Sequence, residues 1–249
     1  MVHFVGAGCG APDLITLRGE RLLREADVVI YAGSLVNPAL LGLCPEGCKV
    51  YNSAEMTLEE LFSVMKENEK QKLVRLQTGD TSLFSAVREQ IDLLEKAGIP
   101  YDITPGVSSF CGAAAALGVE YTLPAVSQTV IITRMAGRTP VPERERIAYL
   151  AAHGAAMVIF LSAGLLEQLQ AELLEGAYTE ETPAAIVYKA SWPEERVVRC
   201  RLGELSAAGK RAGIRKTALI VVGDFLEKSN ERSLLYDPAF STEYREASR

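Results

Sequence analysis

The chain has 249 residues, 48% of them hydrophobic and 23% charged, which is the composition of an ordinary soluble globular protein. Its net charge of −6 argues against a nucleic-acid partner, because such a partner requires a basic face. No apolar run approaches the roughly 18 residues of a membrane-spanning helix. We therefore expect no membrane partner and a cytoplasmic location.

Cysteine and histidine offer little material for metal or catalytic-triad chemistry in this chain. Cys44 and Cys48 could form a metal clip, but His3 and His153 lie far away along the chain without ligand spacing. The five cysteines are an odd number and are scattered through apolar or turn segments. We expect reduced, structural thiols and no metal site.

The first half of the chain alternates short apolar strands with amphipathic helices. The strands are predicted at 2–5, 28–31, 49–51, 73–76 and 101–103, and the helices at 17–25, 58–68, 83–96 and 109–117. Continuous apolar runs of this kind indicate parallel strands that are covered on both faces. Thr57 and Glu60 have the spacing of a capping box at a helix start.

The pattern pauses at a proline-marked joint, residues 118–124, and then begins again. The second set of strands is predicted at 129–133, 157–161, 184–188, 197–200 and 218–222, and the helices at 143–152, 165–175 and 202–211. The third and fourth of these strands have no helix between them, so they predict a hairpin and a mixed sheet. The prediction is two consecutive α/β domains, 1–120 and 121–226, followed by a polar tail, 227–249, that packs loosely.

Glycines directly follow the first strand at Gly6, Gly8 and Gly10, where they let the backbone approach a ligand closely. This pattern predicts a small-molecule cofactor site at the edge of an open α/β sheet. A dinucleotide is one candidate, because the spacing satisfies the loose Rossmann fingerprint. Pro12 extends the loop before the helix, however, and no carboxylate follows the second strand, so a nicotinamide-dependent oxidoreductase is the weaker alternative.

Two further loops of similar chemistry follow the fourth and fifth predicted strands. One contains Thr78, Gly79 and Asp80, and the other runs from Thr104 to Ser109 and opens a helix. Each loop alone is explained by a tight turn, with Asp80 as the N-cap of the next helix. Their convergence at one sheet edge favours a binding site.

These motifs together resemble the tetrapyrrole (corrin and porphyrin) methyltransferase family. The resemblance extends to about residue 226 and is carried by segments 6–16, 26–29, 78–80, 104–109 and 218–223 and by Gly19. Within that family, segments 31–36, 128–134, 137–142 and 187–193 look most like the enzymes that methylate C-11 of precorrin-4 or cobalt-precorrin-4.

The resemblance implies S-adenosyl-L-methionine as the cofactor, bound in a cleft between the two domains, with S-adenosyl-L-homocysteine as its product. The family's cofactor contacts fall on Cys9, Gly79, Asp80, Leu83, Ser108, Ser109, Leu161 or Ser162, Ala190, Thr217 and Ala218. Three positions depart from the family's pattern: Cys9 and Thr81 replace prolines, and Ala11 stands where aspartate is common. A homodimer is also implied.

The implied acceptor is a macrocycle that carries several carboxylates, so an acidic protein must concentrate positive charge where it binds. The expected substrate-binding residues are Tyr31, Ser34, Arg134, Arg138 and Lys189, and Trp192 is a candidate for stacking on the macrocycle. For the cations the alternative is a solvated surface charge, and for the aromatic residues it is buried packing. No general base is assigned.

The predicted function is therefore C-11 methylation of precorrin-4 or cobalt-precorrin-4 in cobalamin synthesis. Methyl transfer from a sulfonium requires neither a metal nor a covalent enzyme intermediate, which suits the sparse histidine content. Two alternatives stay open. One is methylation of another precorrin position or of uroporphyrinogen III, and the other is a carrier that holds a tetrapyrrole without turnover.

Overall fold

The computed structural model describes residues 1–227 and 233–248, and the chain divides into two compact units. The first unit comprises Met1–Ala116 together with Lys189–Glu195, and the second comprises Leu117–Tyr188 and the described part of Arg196–Arg249. The segment Lys189–Glu195 thus groups with the first unit although it interrupts the second in sequence. Part of the predicted polar tail, residues 228–232 and 249, lies outside the described residues.

The first unit is built on a five-stranded parallel sheet with the order β3-β2-β4-β1-β5. Its strands are β1 (Val2–Gly6), β2 (Val28–Tyr31), β3 (Lys49–Asn52), β4 (Leu73–Gln77) and β5 (Tyr101–Thr104). Its α-helices are α1 (Leu17–Arg24), α2 (Leu58–Glu67), α3 (Val87–Ala97) and α4 (Ser109–Leu117). Separate apolar clusters cover the two faces of the sheet, as the continuous apolar strands predict.

The start of α3 differs from the sequence prediction. Residues 83–86 are not helical, because Phe84 and Ala86 have left-handed backbones with φ of +51° and +50°. Ala86 is the residue that precedes the helix, so the interpretation of Asp80 as its N-cap is wrong. At α2 the predicted capping box is confirmed, since Thr57 and Glu60 each accept a hydrogen bond from the other's backbone nitrogen.

The second unit holds a five-stranded mixed sheet with the order β6-β7-β10-β8-β9. Its strands are β6 (Val130–Arg134), β7 (Ala156–Phe160), β8 (Pro183–Tyr188), β9 (Arg196–Arg201) and β10 (Ala218–Val222). Only β6 and β7 pair in parallel, and β8 and β9 form the predicted antiparallel hairpin. The mixed α/β class is therefore confirmed.

One apolar cluster joins this sheet to helices α5 (Ile147–Ala151), α6 (Leu166–Leu174) and α7 (Leu205–Ala212). The helix predicted at 143–152 is interrupted, because Arg146 is extended with φ of −57° and ψ of 145°. A short 3-10 turn, Glu143–Glu145, therefore precedes α5. The helix predicted at 202–211 likewise begins as a 3-10 turn, Leu202–Glu204.

No helix in residues 1–227 and 233–248 combines the length and the apolar character needed to cross a membrane. Over the same residues, no three histidine, cysteine, aspartate or glutamate side chains are grouped as metal ligands would be.

Candidate functional site

Three glycines meet at the carboxyl edge of the parallel sheet: Gly6 ends β1, and Gly79 and Gly106 lie in the loops after β4 and β5. The strands β4, β1 and β5 are neighbours in the sheet, so the backbones at their carboxyl ends converge. A Cβ atom on Gly6 would lie 2.6 Å from Cα of Gly106, and one on Gly106 would lie 2.1 Å from the carbonyl oxygen of Gly79. Only residues without side chains permit this approach. We call Gly6, Gly79 and Gly106 the glycine cluster.

Backbone hydrogen bonds join the loop after β1 to the loop after β4. The nitrogen of Gly8 donates to the carbonyl of Gly79 at 3.2 Å, and the nitrogen of Gly79 donates back at 3.0 Å. Both residues have positive φ, +82° and +62°, which favours glycine at each position.

The carboxylate of Asp80 joins the loop after β4 to the loop after β5. It accepts hydrogen bonds from the backbone nitrogens of Gly106, at 2.8 Å, and Ser82, at 2.9 Å, and a third from the Ser82 hydroxyl. Burial raises the pKa of this carboxyl, but the hydrogen bonds from Ser82 and Gly106 outweigh it and hold the pKa below its ordinary value. The ionised Asp80 side chain thus links the two loops by hydrogen bonds.

The loop after β1 is also held from its other side. Asn37 donates from Nδ2 to the carbonyl of Gly10 at 2.8 Å. The hydroxyl of Ser191 accepts from the backbone nitrogen of Ala11 at 3.0 Å and lies 3.2 Å from Sγ of Cys9. Sequence reasoning missed Asn37 and Ser191, because Ser191 meets this loop from about 180 positions away in the chain.

Trp192 packs directly against Gly10, where a Cβ atom would lie 2.2 Å from Cδ1 of the indole. Cys9 is buried beneath α4, and a Cβ atom on Gly112 would lie 2.9 Å from its sulfur. The same added atom would lie 3.4 Å from Cβ of Ala190. The structure thus brings Cys9 and Ala190, two predicted cofactor residues, to one place.

Ser108 and Ser109, two further predicted cofactor residues, lie beside Gly79 of the glycine cluster. A Cβ atom on Gly79 would meet nothing closer than 3.7 Å, and the nearest atoms belong to Ser108 and Ser109. Ser108 is buried, Ser109 begins α4, and Leu83 is half-buried. A side-chain atom at Gly79 would therefore make ordinary van der Waals contact with the residues that lead into α4.

Two buried polar atoms of the described residues have no hydrogen-bond partner, and both lie at the end of β4. They are Nε2 of Gln77 and Oγ1 of Thr78. A buried polar group without a partner costs free energy, so such groups commonly mark a position where a ligand or water binds. Their place directly before Gly79 of the glycine cluster fits a bound polar molecule.

The second unit places its predicted cofactor residues at one edge of its own sheet. Leu161 and Ser162 follow β7, and Thr217 and Ala218 lie at the start of the neighbouring antiparallel strand β10. Leu161 is 67% exposed, whereas the hydroxyl of Ser162 is buried between the Met135 nitrogen and the Phe160 carbonyl. Of the two alternatives at this position, the side chain of Leu161 is the accessible one.

Six of the seven described residues other than glycine with left-handed backbones lie in or beside segments that carry predicted cofactor residues, and Ala125 is the exception. In the first unit the described examples are Phe84, Ala86, Lys189 and Ser191, and in the second they are Ala125, Leu161 and Thr217. For a β-branched residue such as Thr217 this conformation is a genuine outlier. Such strain persists where surrounding contacts enforce it, and it clusters at functional sites.

The three predicted substrate cations have different environments. Arg134 ends β6, and its guanidinium donates to the carbonyls of Met135, Thr139 and Pro140 at 2.7–3.2 Å. Arg134 therefore holds the following loop and is not a simple solvated charge. Arg138 lies in that loop and is exposed.

Lys189 is half-buried in the first unit. Its ammonium group lies 3.3 Å from the Glu194 carboxylate and 5.1 Å from the centre of the Trp192 ring. Tyr31 ends β2, half-buried against the apolar cluster beneath it, and its carbonyl accepts from the Ser53 hydroxyl at 3.1 Å. Ser34 is exposed in the short 3-10 turn Gly33–Leu35 that follows.

Comparison with known proteins gives consistent matches. Residues 1–206 match the family described as Tetrapyrrole (Corrin/Porphyrin) Methylases. The chain is 52% identical to a cobalt-precorrin-4 C(11)-methyltransferase of Methanocaldococcus jannaschii, over 99% of this chain and 96% of that protein. It is 48% identical to a precorrin-4 C(11)-methyltransferase of Sinorhizobium sp, over 98% of each.

Solved structures agree with these matches. A cobalamin biosynthetic enzyme, cobalt precorrin-4 methyltransferase, has a TM-score of 0.89 and 43% identity over 91% of this chain and 96% of its own. The uroporphyrin-III C-methyl transferase of Thermus thermophilus, solved with S-adenyl homocysteine, has a TM-score of 0.75 and 29% identity over 91% and 93%.

Proposed function

The chain belongs to the tetrapyrrole methylase family, and from that premise we propose that it methylates C-11 of precorrin-4 or cobalt-precorrin-4 in cobalamin biosynthesis. The observation that carries the proposal is the pair of C(11)-methyltransferases that match nearly the whole chain at 52% and 48% identity. The uroporphyrin-III enzyme of known structure is less similar, at 29%. The product is precorrin-5 or its cobalt form.

We propose S-adenosyl-L-methionine as the methyl donor. The residues fit such a group, because the buried, unpartnered atoms of Gln77 and Thr78, directly before Gly79, offer hydrogen-bonding capacity. A structural relative was solved with S-adenyl homocysteine, which adds support. When bound, the donor supplies a methyl group activated on a positively charged sulfur.

The residues of the chain contribute mainly by binding and orienting. The loops of the glycine cluster are fixed to one another by the Gly8–Gly79 pair and by Asp80, so their shape is set before any ligand arrives. Holding reactants in a productive geometry can supply roughly 7–11 kcal/mol of the barrier reduction. The Asp80 carboxylate is occupied by its loop hydrogen bonds, so we propose it as a positioning residue and assign no general base.

The remaining predicted cofactor residues stay part of the proposal. In the first unit they are Cys9, Leu83, Ser108, Ser109 and Ala190. In the second they are Leu161, Thr217 and Ala218, with Ser162 acting through its backbone because its hydroxyl is used within the unit.

For the anionic macrocycle we propose Arg138 and Lys189 as carboxylate-binding residues, with Tyr31, Ser34 and Trp192 as further contacts. The exposure of Arg138 supports this role for it, and the position of Lys189 beside the Trp192 ring supports the same role for Lys189. Arg134 supports Arg138 indirectly, because it holds the loop on which Arg138 lies.

We also propose a cytoplasmic homodimer. The five cysteines are free thiols, which suits a reducing compartment. The homodimer is what the family resemblance implies. Light scattering at micromolar protein concentration tests the dimer, and a single species at the 27.0 kDa mass of one chain would contradict it.

Calorimetry and a product assay together test the proposed function. We expect S-adenosylhomocysteine to bind, and we expect mass spectrometry and NMR to show one methyl group added at C-11 of precorrin-4 or its cobalt form. Methylation at another position, or of uroporphyrinogen III, would replace the substrate assignment. Macrocycle binding without turnover would indicate a carrier instead.

A further inference from the structure

A buried arginine lies inside the first unit without an acidic partner. Arg75, on β4, is 4% exposed, and no carboxylate of the described residues lies within ion-pair distance of it. Its Nε donates to Oε1 of Gln90 at 3.0 Å and its Nη1 donates to the carbonyl of Ile30 at 3.2 Å. Burial lowers the pKa of Arg75 to about 10, so the side chain stays charged at neutral pH. Burying a charge whose hydrogen-bond acceptors are all neutral costs free energy, so a role for Arg75 is expected.

Gln90 connects this charge to the loop that precedes α3. Its amide oxygen accepts from Arg75, and its Nε2 donates to the carbonyl of Ala86 at 2.9 Å. The side chain is only 4% exposed, so water does not readily replace either bond. The two ends of the amide therefore have fixed and opposite roles, one accepting and one donating.

The carbonyl that Gln90 holds belongs to a strained residue. Ala86 has φ of +50°, and Phe84, two residues earlier, has φ of +51°. Neither residue is glycine, so both conformations cost energy that surrounding contacts must offset. The same loop carries Asp80 and Leu83, which the proposed function assigns to the cofactor.

We propose that Arg75 and Gln90 are positioning residues that hold loop 80–86 in the conformation that binds the methyl donor. The guanidinium fixes the orientation of the Gln90 amide, and the amide fixes the Ala86 carbonyl. The inference rests on the proposed function, because it assigns this loop to the same cofactor site.

Gln90→Glu distinguishes two roles of Gln90: positioning loop 80–86, and only accepting a hydrogen bond from the buried Arg75. A carboxylate at position 90 still accepts from Arg75, and the guanidinium keeps it ionised, but it has no hydrogen to donate to Ala86. We expect the variant to fold with an unchanged melting temperature or a higher one. We expect S-adenosylhomocysteine to bind about tenfold more weakly by calorimetry, since one buried hydrogen bond is replaced by facing oxygens. Hydrogen exchange at the amides of 80–86 should become faster.

Gln71→Glu is the matched control, because it makes the same change in the first unit at a half-buried side chain that forms no hydrogen bond with the described residues. We expect it to bind like the wild type. If Gln90→Glu does not fold, the double variant Arg75→Leu/Gln90→Leu removes the buried charge together with its acceptor. The same tenfold loss is expected of that variant.

The outcomes distinguish this inference from the function it rests on. Wild-type protein that fails to bind S-adenosylhomocysteine would overturn the proposed cofactor. Wild-type binding matched by a folded Gln90→Glu, or by the folded double variant, would show that Gln90 only solvates Arg75, and the positioning role would be wrong.

Discussion

The carboxylate of Asp80 accepts a hydrogen bond of 2.8 Å from the backbone nitrogen of Gly106, so a side chain from one loop holds the main chain of another. The two residues lie 26 positions apart and follow strands that do not pair directly, since β1 lies between them. The shape of the glycine cluster therefore depends on a polar contact as well as on close packing.

Asp80→Ala is expected to weaken binding of S-adenosylhomocysteine by about 1–3 kcal/mol, because it leaves the Gly106 and Ser82 nitrogens without their acceptor. Isothermal calorimetry measures the change directly. Asp92→Ala, which removes an exposed carboxylate paired with Arg88 on α3, should bind like the wild type. Unchanged affinity in Asp80→Ala would remove Asp80 from the site.

Gly106→Ala is expected to lower the free energy of unfolding by about 1–3 kcal/mol or more, since its Cβ atom would meet the Gly79 carbonyl at 2.1 Å. Both groups belong to the backbone, so a side-chain rotation cannot relieve the contact. Gly42→Ala is the control, because nothing lies within 4 Å of its added atom. Urea unfolding compares the two, and equal midpoints would argue against the close packing.

Ser191 can be tested with a pair of substitutions that both remove its hydroxyl. Ser191→Ala loses the hydrogen bond from the Ala11 nitrogen and keeps the left-handed backbone at φ of +64°. This variant therefore loses the bond and still carries the backbone strain. Ser191→Gly loses the same bond but relieves the backbone strain by about 1 kcal/mol. We expect denaturant unfolding to rank wild type and Ser191→Gly above Ser191→Ala. If Ser191→Gly were less stable than Ser191→Ala, the backbone at position 191 would not be strained as described.

Arg134 and Arg138 are expected to differ in what their loss affects. Arg134→Ala should lower the melting temperature, because three backbone carbonyls lose their donor. Arg138→Ala should leave the melting temperature unchanged and raise KM for the macrocycle several-fold, by about 1 kcal/mol of lost charge interaction. Steady-state kinetics and thermal melts measure both. An unaltered KM in Arg138→Ala would leave the carboxylate-binding role to other residues.

Stability is expected to fall at alkaline pH because of two cysteines. Burial raises the pKa of Cys44 and of Cys200 to about 11, from an ordinary value of 9.0. Between these values the unfolded chain has released a proton that the folded chain keeps, so the free energy of unfolding falls as pH rises. The double variant Cys44→Ala/Cys200→Ala should show a smaller fall between pH 8 and pH 10.5 in urea unfolding. An identical fall would contradict the burial effect.

Much of the fold follows from local patterns. The strands of the first sheet lie within one residue of their predicted bounds, because continuous apolar runs mark buried parallel strands. The start of α3 could not be predicted, since nothing in Phe84 or Ala86 alone announces a left-handed backbone. The interruption of the predicted helix at Arg146 could not be predicted either, because the residues around it favour a helix.

The candidate site was likewise predictable from the sequence only in part. Glycine spacing and short motifs located the three loops and the family, because a close backbone approach demands glycine whatever surrounds it. The sequence alone thus predicted the strands, most of the helices, the three glycine-containing loops proposed for the cofactor, and the family to which the chain belongs. Only the tertiary structure decided that Asp80 ties two loops, that Ser191 reaches Cys9 and Ala11, and that Gln90 joins Arg75 to Ala86. Those contacts join residues on separate elements, and their existence depends on how the elements pack and not on any local preference of the chain.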